Sequence, residues 1–287
     1  MRYLTKEWYN LCQRTGLHFG MEVYNRTETY DEALYLQLYK AHEESFIKMQ
    51  HESYDYDPRF LLQKDSFEFV PFNKFVTGEE ISEEDRFIYH IPPQEKEHIK
   101  KKIAEYDARP PFNEDKCREE FRCLQEIVQK DMIDKLPKEI LQQIADIRVF
   151  ALGYCTKDIL DQLESVSKEN EREMNRVLNE CVKAQQAEQI SHSIRGKFNF
   201  HDCEVTELTL NDNIIIRFDT RGGFTNYNTI TFIDSKIVKQ DDHILGSTWI
   251  YEELYRIENG YEAHMLFWGE EMPELIIRCK DILIEEK

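Results

Sequence analysis

The sequence predicts an α+β protein: a helical N-terminal domain over residues 1–193, then a small antiparallel β domain over residues 194–287. Three observations carry this. Apolar residues recur at helical spacing up to about residue 190, whereas beyond about residue 200 they alternate or gather in short β-branched runs. The strongest hairpin turn signals, Asn211-Asp212-Asn213, Arg221-Gly222-Gly223 and Asn259-Gly260, all lie in the second part. Between the two regimes runs Ser191-His192-Ser193-Ile194-Arg195-Gly196, which reads as the junction.

The first helix is expected after Thr5, a capping residue, with Trp8, Leu11 and Cys12 on one face. A second runs from about Thr29 to Gln50. It carries Tyr35, Tyr39, His42, Phe46 and Met49 as one stripe beside Leu34, Leu38 and Ala41, which marks a core face. Residues 53–78 read as an irregular, ring-rich connection with Tyr54, Tyr56, Phe60, Phe67, Phe69, Phe72 and Phe75. That many rings must be buried against a helical core or form a partner surface. Pro92-Pro93 opens the next helix, to about Asp107, and Asn113 caps another to about Asp134. Pro137 starts one through Phe150, closed by Gly153. Thr156 caps the longest, to about Ile190, with Met174, Val177, Leu178, Cys181 and Val182 as its seam. The polar stretch Lys168–Glu173 is either a projecting helix or a break.

Strands are expected over 201–210, 214–219, 228–234, 236–239, 261–268 and 275–284. Residues 247–258 are ambiguous: Trp249-Ile250-Tyr251 favours a strand, and Glu252-Glu253-Leu254-Tyr255 a helix.

Charge narrows the classes of partner. The chain has 287 residues, with 56 Asp and Glu against 37 Lys and Arg, a net charge of −19. Nucleic-acid affinity rests on cations that displace counterions from phosphates, so a nucleic-acid partner is not expected. No apolar run approaches the ~20 residues of a membrane helix, and no membrane role is expected. The opening Met-Arg-Tyr-Leu-Thr-Lys has no apolar leader core. Seven cysteines stand singly without a Cys-x-x-Cys pair, so neither a disulfide framework nor a zinc knuckle is indicated. Reduced thiols in a cytoplasmic protein fit all of this.

His201-Asp202-Cys203 is the most suggestive constellation. On a strand His201 and Cys203 would share one face, and a metal site would need two more ligands from elsewhere, such as His243 or His264. The competing reading is a turn at a strand edge. Asp241-Asp242-His243 lies in a turn, where Asp is favoured on conformational grounds. The neighbours Glu252-Glu253 and Glu270-Glu271 would point to opposite faces of a strand and form no carboxylate dyad. Arg221-Gly222-Gly223 lacks the lysine and spacing of a phosphate cradle, and no known nucleophile or dinucleotide motif occurs, so no cofactor is expected. Tyr54-Asp55-Tyr56-Asp57 is the candidate partner surface, acidic and rich in tyrosine.

Several stretches resemble an uncharacterised bacterial family, the domain of unknown function 4085. They are the opening Met1–Tyr9, Ile144–Tyr154, Phe200-His201-Asp202-Cys203, Trp249-Ile250-Tyr251-Glu252-Glu253 and Gly260-Tyr261-Glu262-Ala263-His264. The resemblance implies no catalytic role for any residue. The His-Asp start and the Trp-x-Tyr-Glu-Glu stretch also resemble β domains of immunity-type proteins, which implies protein binding. The expectation is therefore a protein-interaction molecule, immunity-like or regulatory, that binds through acidic and aromatic surface. The alternative is a metal-dependent hydrolase built on His201, Cys203, His243 and His264.

Overall fold

A computed structural model describes residues 1–62, 66–70, 82, 83, 86–269 and 271–286. The helices are α1 (Lys6–Gln13), α2 (Glu32–Asp55), α3 (Pro93–Ala108), α4 (Glu114–Lys135), α5 (Lys138–Leu141), α6 (Ile147–Ala151), α7 (Lys157–Ala187) and α8 (His192–Arg195). Among them fall the short strands β1 (Glu22–Val23), β2 (Ser66–Phe69), β3 (Phe87–His90) and β4 (Tyr154–Cys155). Eight strands follow: β5 (Glu204–Leu210), β6 (Ile214–Asp219), β7 (Thr229–Ile233), β8 (Lys236–Gln240), β9 (Thr248–Ile257), β10 (Gly260–Trp268), β11 (Glu274–Cys279) and β12 (Asp281–Glu285). The class is α+β, as the sequence predicts.

Helix starts follow local chemistry. Thr5 accepts the Trp8 N–H at 3.3 Å, Asn113 that of Lys116 at 2.9 Å, and Thr156 that of Ile159 at 3.3 Å. Other expectations need correction. The cap of α2 is Asp31, two residues past Thr29, and it accepts the Leu34 N–H. The helix expected through Phe150 is two helices, because Asp146 accepts the Arg148 N–H and caps a new start. Helix α7 runs unbroken through Lys168–Glu173, and Arg176 pairs with Glu173 and Glu180 just beyond. Its buried side is Ile159, Leu163, Ser167 and Cys181, while Leu178 and Val182 are 41% and 43% exposed. The segment 275–284 breaks at Lys280 into β11 and β12, and 247–258 resolves as the strand β9. Phe72 and Phe75 lie outside the described residues.

Contacts divide the chain into two compact units. One holds Arg26–Asp134 and Ala145–Tyr154; the other holds Met1–Asn25, Lys135–Ile144 and Cys155–Lys287. The change from helix to strand thus falls near the predicted junction, yet α1 and α7 belong with the sheet.

In the helical unit, Tyr39 and Phe46 of α2 pack on Phe121 of α4 with ring centroids 5.1 and 5.4 Å apart. Met49, the last of the expected stripe, is exposed. Arg148 joins α6 to α2: it bonds Asp146 and Glu32 at 2.8 and 2.6 Å and lies 4.1 Å from the Tyr35 ring centroid.

In the sheet unit the strand order is β12-β7-β6-β5-β9-β10-β11-β8, with every pairing antiparallel. Between β5 and β9 the ladder holds by the single registered pair Glu204–Thr248. Residues of β5, β6, β7 and β12 share one core with residues of β9, β10 and β11, so the sheet curls around Trp249, Phe232, Phe267, Met265 and Ile230. Fully burying each such side chain contributes ~1.5–3 kcal/mol. The second face of β9 is covered as well. Trp8 of α1 meets Tyr251 at 5.3 Å on that face, while Gln185 and Glu188 near the end of α7 accept the in-plane N–H groups of Leu254 and Arg256 along the edge of β9 that β5 leaves unpaired. Burial on both faces explains why residues 260–267 of β10 are all buried, although Glu262 and His264 alternate with apolar neighbours.

Candidate functional site

The four candidate metal ligands do not converge. Among the described residues no group of three or more His, Cys, Asp or Glu is placed to hold a metal ion. Strand β5 begins at Glu204, so His201 and Cys203 precede it in a turn where Asp202 has φ +65°. His201 stays half-exposed, its Nδ1 3.0 Å from Asp202. Cys203 turns into the core, where burial and then the nearby Asp202 push its thiol up to about 11, away from the thiolate a metal or nucleophile requires. His243 is exposed on a bend with φ +63°. His264 is buried on the outer face of β10, the face opposite the core. The glycines of Arg221-Gly222-Gly223 have a packing reason. A Cβ on Gly223 would stand 2.3 Å from the Cys203 sulfur, and one on Gly222 would stand 2.7 Å from the Asp202 carbonyl oxygen.

The outer face of β9 and β10 holds a buried polar network instead. Antiparallel register sets Glu253 opposite His264, Tyr255 opposite Glu262, and Glu262 opposite Arg278 on β11. Glu253, with no exposed surface, accepts the backbone N–H groups of Arg2, Tyr3 and Leu4 at 2.7, 2.8 and 2.7 Å, and the Tyr255 hydroxyl at 2.6 Å. Burial would raise this carboxyl, but the four donors outweigh it and hold the group below the usual carboxylate range. Glu262 is likewise opposed by burial. Its bonds to His264 at 2.9 Å, Arg278 at 2.6 Å and Arg2 at 3.0 Å nonetheless bring it down to about 2. Burial lowers His264 more than Glu262 raises it. The Arg2 guanidinium completes the cover 3.6 Å from the centroid of the Tyr255 ring. This network ties the N-terminal segment to the sheet, with four donors on Glu253 and three on Glu262. Both stretches stand out in the sequence, but their meeting does not. The signal is the i, i+2 repeat in Glu253-x-Tyr255 and Glu262-x-His264, which places four polar groups on one face once the register is known.

A different character appears at the end of the sheet where β5 and β9 begin. Trp268, Thr248, Glu204 and Asp219 are consecutive partners across β10, β9, β5 and β6. Around this row lies a depression of about 340 Å³ lined by Asp202, Glu204, Asp219, Arg221, Gly222 and Thr248. The same end carries exposed rings and aliphatics: Trp268 at 60%, Leu245 at 62% and Phe224 at 83%. Arg221 bonds Asp219 at 2.8 Å and holds its carboxyl low, which leaves Asp202 and Glu204 as surplus negative charge.

The expected partner surface at Tyr54, Asp55, Tyr56 and Asp57 is largely engaged within its own unit. The Tyr54 hydroxyl donates to the Pro110 carbonyl, and the Arg109 guanidinium lies 4.1 Å from the Tyr54 ring and 3.3 Å from that of Tyr106. Asp55 meets His51 at 3.0 Å and Asp57 meets Arg59 at 3.1 Å. Tyr56 alone of the four presents a broadly exposed ring. Glu270 lies outside the described residues, so the Glu270-Glu271 pair has no structural account.

Among the described residues no helix is long and apolar enough to cross a membrane. A family model described as a protein of unknown function (DUF4085) matches residues 96–277, more than half of the chain and most of the sheet unit. No curated protein and no solved structure matches. The chain therefore belongs to the DUF4085 family.

Proposed function

We propose that the chain is a cytoplasmic protein-binding molecule that takes a basic partner at the acidic, ring-bearing end of its sheet. The observation that carries this reading is the row Trp268-Thr248-Glu204-Asp219, flanked by exposed Phe224 and Leu245. A large exposed ring beside unneutralised carboxylates is the composition of an interface anchor with a charged rim. The net charge of −19 steers basic molecules towards it. Seven unpaired cysteines, five of them buried, accord with a reducing compartment. The immunity-like or regulatory role implied by the resemblance is one form such binding takes.

The test is affinity capture from a native lysate with the parent chain and with the Trp268→Ala and Glu204→Lys variants. A basic protein should be retained by the parent at low salt, more weakly at moderate salt, and lost with either variant. Capture of nothing at both salt concentrations, or equal capture by all three baits, sinks the reading.

A further inference from the structure

The opposite end of the same sheet inverts the charge of the molecule. Residues 196–287 hold 9 basic and 18 acidic residues. Four of those nine, Lys236, Arg256, Arg278 and Lys280, line one cleft of about 1120 Å³ formed by the starts of β8 and β10 and the β11–β12 junction. Asp234 and Glu258 are the acidic residues on its wall.

Cations elsewhere on this chain are commonly neutralised, as Arg118, Arg148, Arg176 and Lys239 are by carboxylates. Among the described residues, Lys236, Arg256 and Lys280 have no carboxylate within ion-pair distance. The two arginines are braced from behind. Arg256 lies 4.8 Å from the Tyr261 ring centroid, and Arg278 is held through Nε by Glu262, itself fixed by His264 and Arg2. A guanidinium held in place needs little ordering on binding, and the exposed lysines add positive charge around the same cleft, a combination suited to phosphate oxygens.

We propose that this cleft binds a small molecule carrying two or more adjacent phosphate groups. The cleft exceeds the space a single phosphate requires, and its positive surplus calls for more than one charge. A small anion fits better than a nucleic acid. An extended polyanion would have to cross the acidic surface beyond the cleft, whereas a compact one stays inside it.

Calorimetric titration of the full chain at physiological ionic strength tests this with four probes: tripolyphosphate, a nucleoside triphosphate, inorganic phosphate and citrate. Tripolyphosphate should bind saturably and at least ~10-fold more tightly than inorganic phosphate, a difference that two extra charge-assisted contacts supply. Tighter binding of the nucleoside triphosphate identifies a nucleotide as the source, and equal binding identifies the phosphate chain alone; both support the site. The Lys236→Gln/Lys280→Gln variant should lose at least ~10-fold in affinity, while Lys40→Gln/Lys48→Gln on α2 should not change it. Arg256→Gln gives a second reading should the double variant fold poorly. Absence of saturable tripolyphosphate binding, undiminished binding by both cleft variants, or equal binding of citrate overturns the proposal.

Discussion

Glu252 and Glu253 are neighbours in sequence and opposites in environment. Glu253 lies on the outer face of β9, where three backbone N–H groups and a tyrosine hydroxyl converge on it and keep it ionised. Glu252 lies on the core side with Leu254. There burial pushes its carboxyl up to about 7, only partly offset by the Trp249 indole N–H at 2.7 Å. One residue along a strand reverses the sign of the shift, because alternate positions meet different layers of the protein. A pair of adjacent acids therefore says nothing about function until each face is known.

The largest test of this contrast is Glu253→Ala. It leaves three backbone donors and the Tyr255 hydroxyl without an acceptor, so urea unfolding should show a loss of about 3–5 kcal/mol. Glu262 comes next. Its folded value of about 2 lies below the ordinary value of 4.5, so its contribution is complete above pH 4.5 and disappears as pH falls towards 2. Glu262→Gln should destabilise by about 2–3 kcal/mol at pH 6, with the gap to the parent closing by pH 2.

Glu252 should behave in the reverse sense. A raised acid contributes most below pH 4.5 and loses that contribution as pH rises through about 7. Part of its surface reaches solvent, so Glu252→Gln should stabilise the chain at pH 8 by at most about 2 kcal/mol and change little at pH 4. A destabilised Glu252→Gln at pH 8 would break the comparison. The smallest effect belongs to Tyr255→Phe, which removes one of the four donors to Glu253 and should cost about 1 kcal/mol. In the same variant the Glu253 carboxyl should titrate at higher pH than in the parent, as read by NMR.

Much of the local structure is legible in the residues. Thr5, Asn113 and Thr156 announce helix starts by side-chain chemistry, whereas the two-residue turn that joins β9 to β10 is Glu258-Asn259, one residue ahead of the expected Asn259-Gly260, because Gly260 already pairs with Ile257 as the first residue of β10. The split at Asp146 is legible afterwards as a capping residue that the apolar period alone conceals. Less of the sites could be read. His201, Cys203, His243 and His264 share residue types suited to a metal, but a turn, a core position, an exposed bend and an outer strand face separate them. The acidic row and the basic cleft join residues from four strands and three strand junctions respectively, and neither is contiguous in sequence.

The sequence by itself determined the class, the order of elements and the alternation of side chains along each strand, because these follow from steric preference, capping and period within a few residues. Only the tertiary structure decided that β5 meets β9, that α7 caps the free edge of β9 while the N-terminal segment covers its second face, and that cations spread from Lys236 to Lys280 line one cleft. Pairing between distant strands is selected by burial of the whole apolar set at once. The same alternating segment could present either face to either neighbour until the core closes.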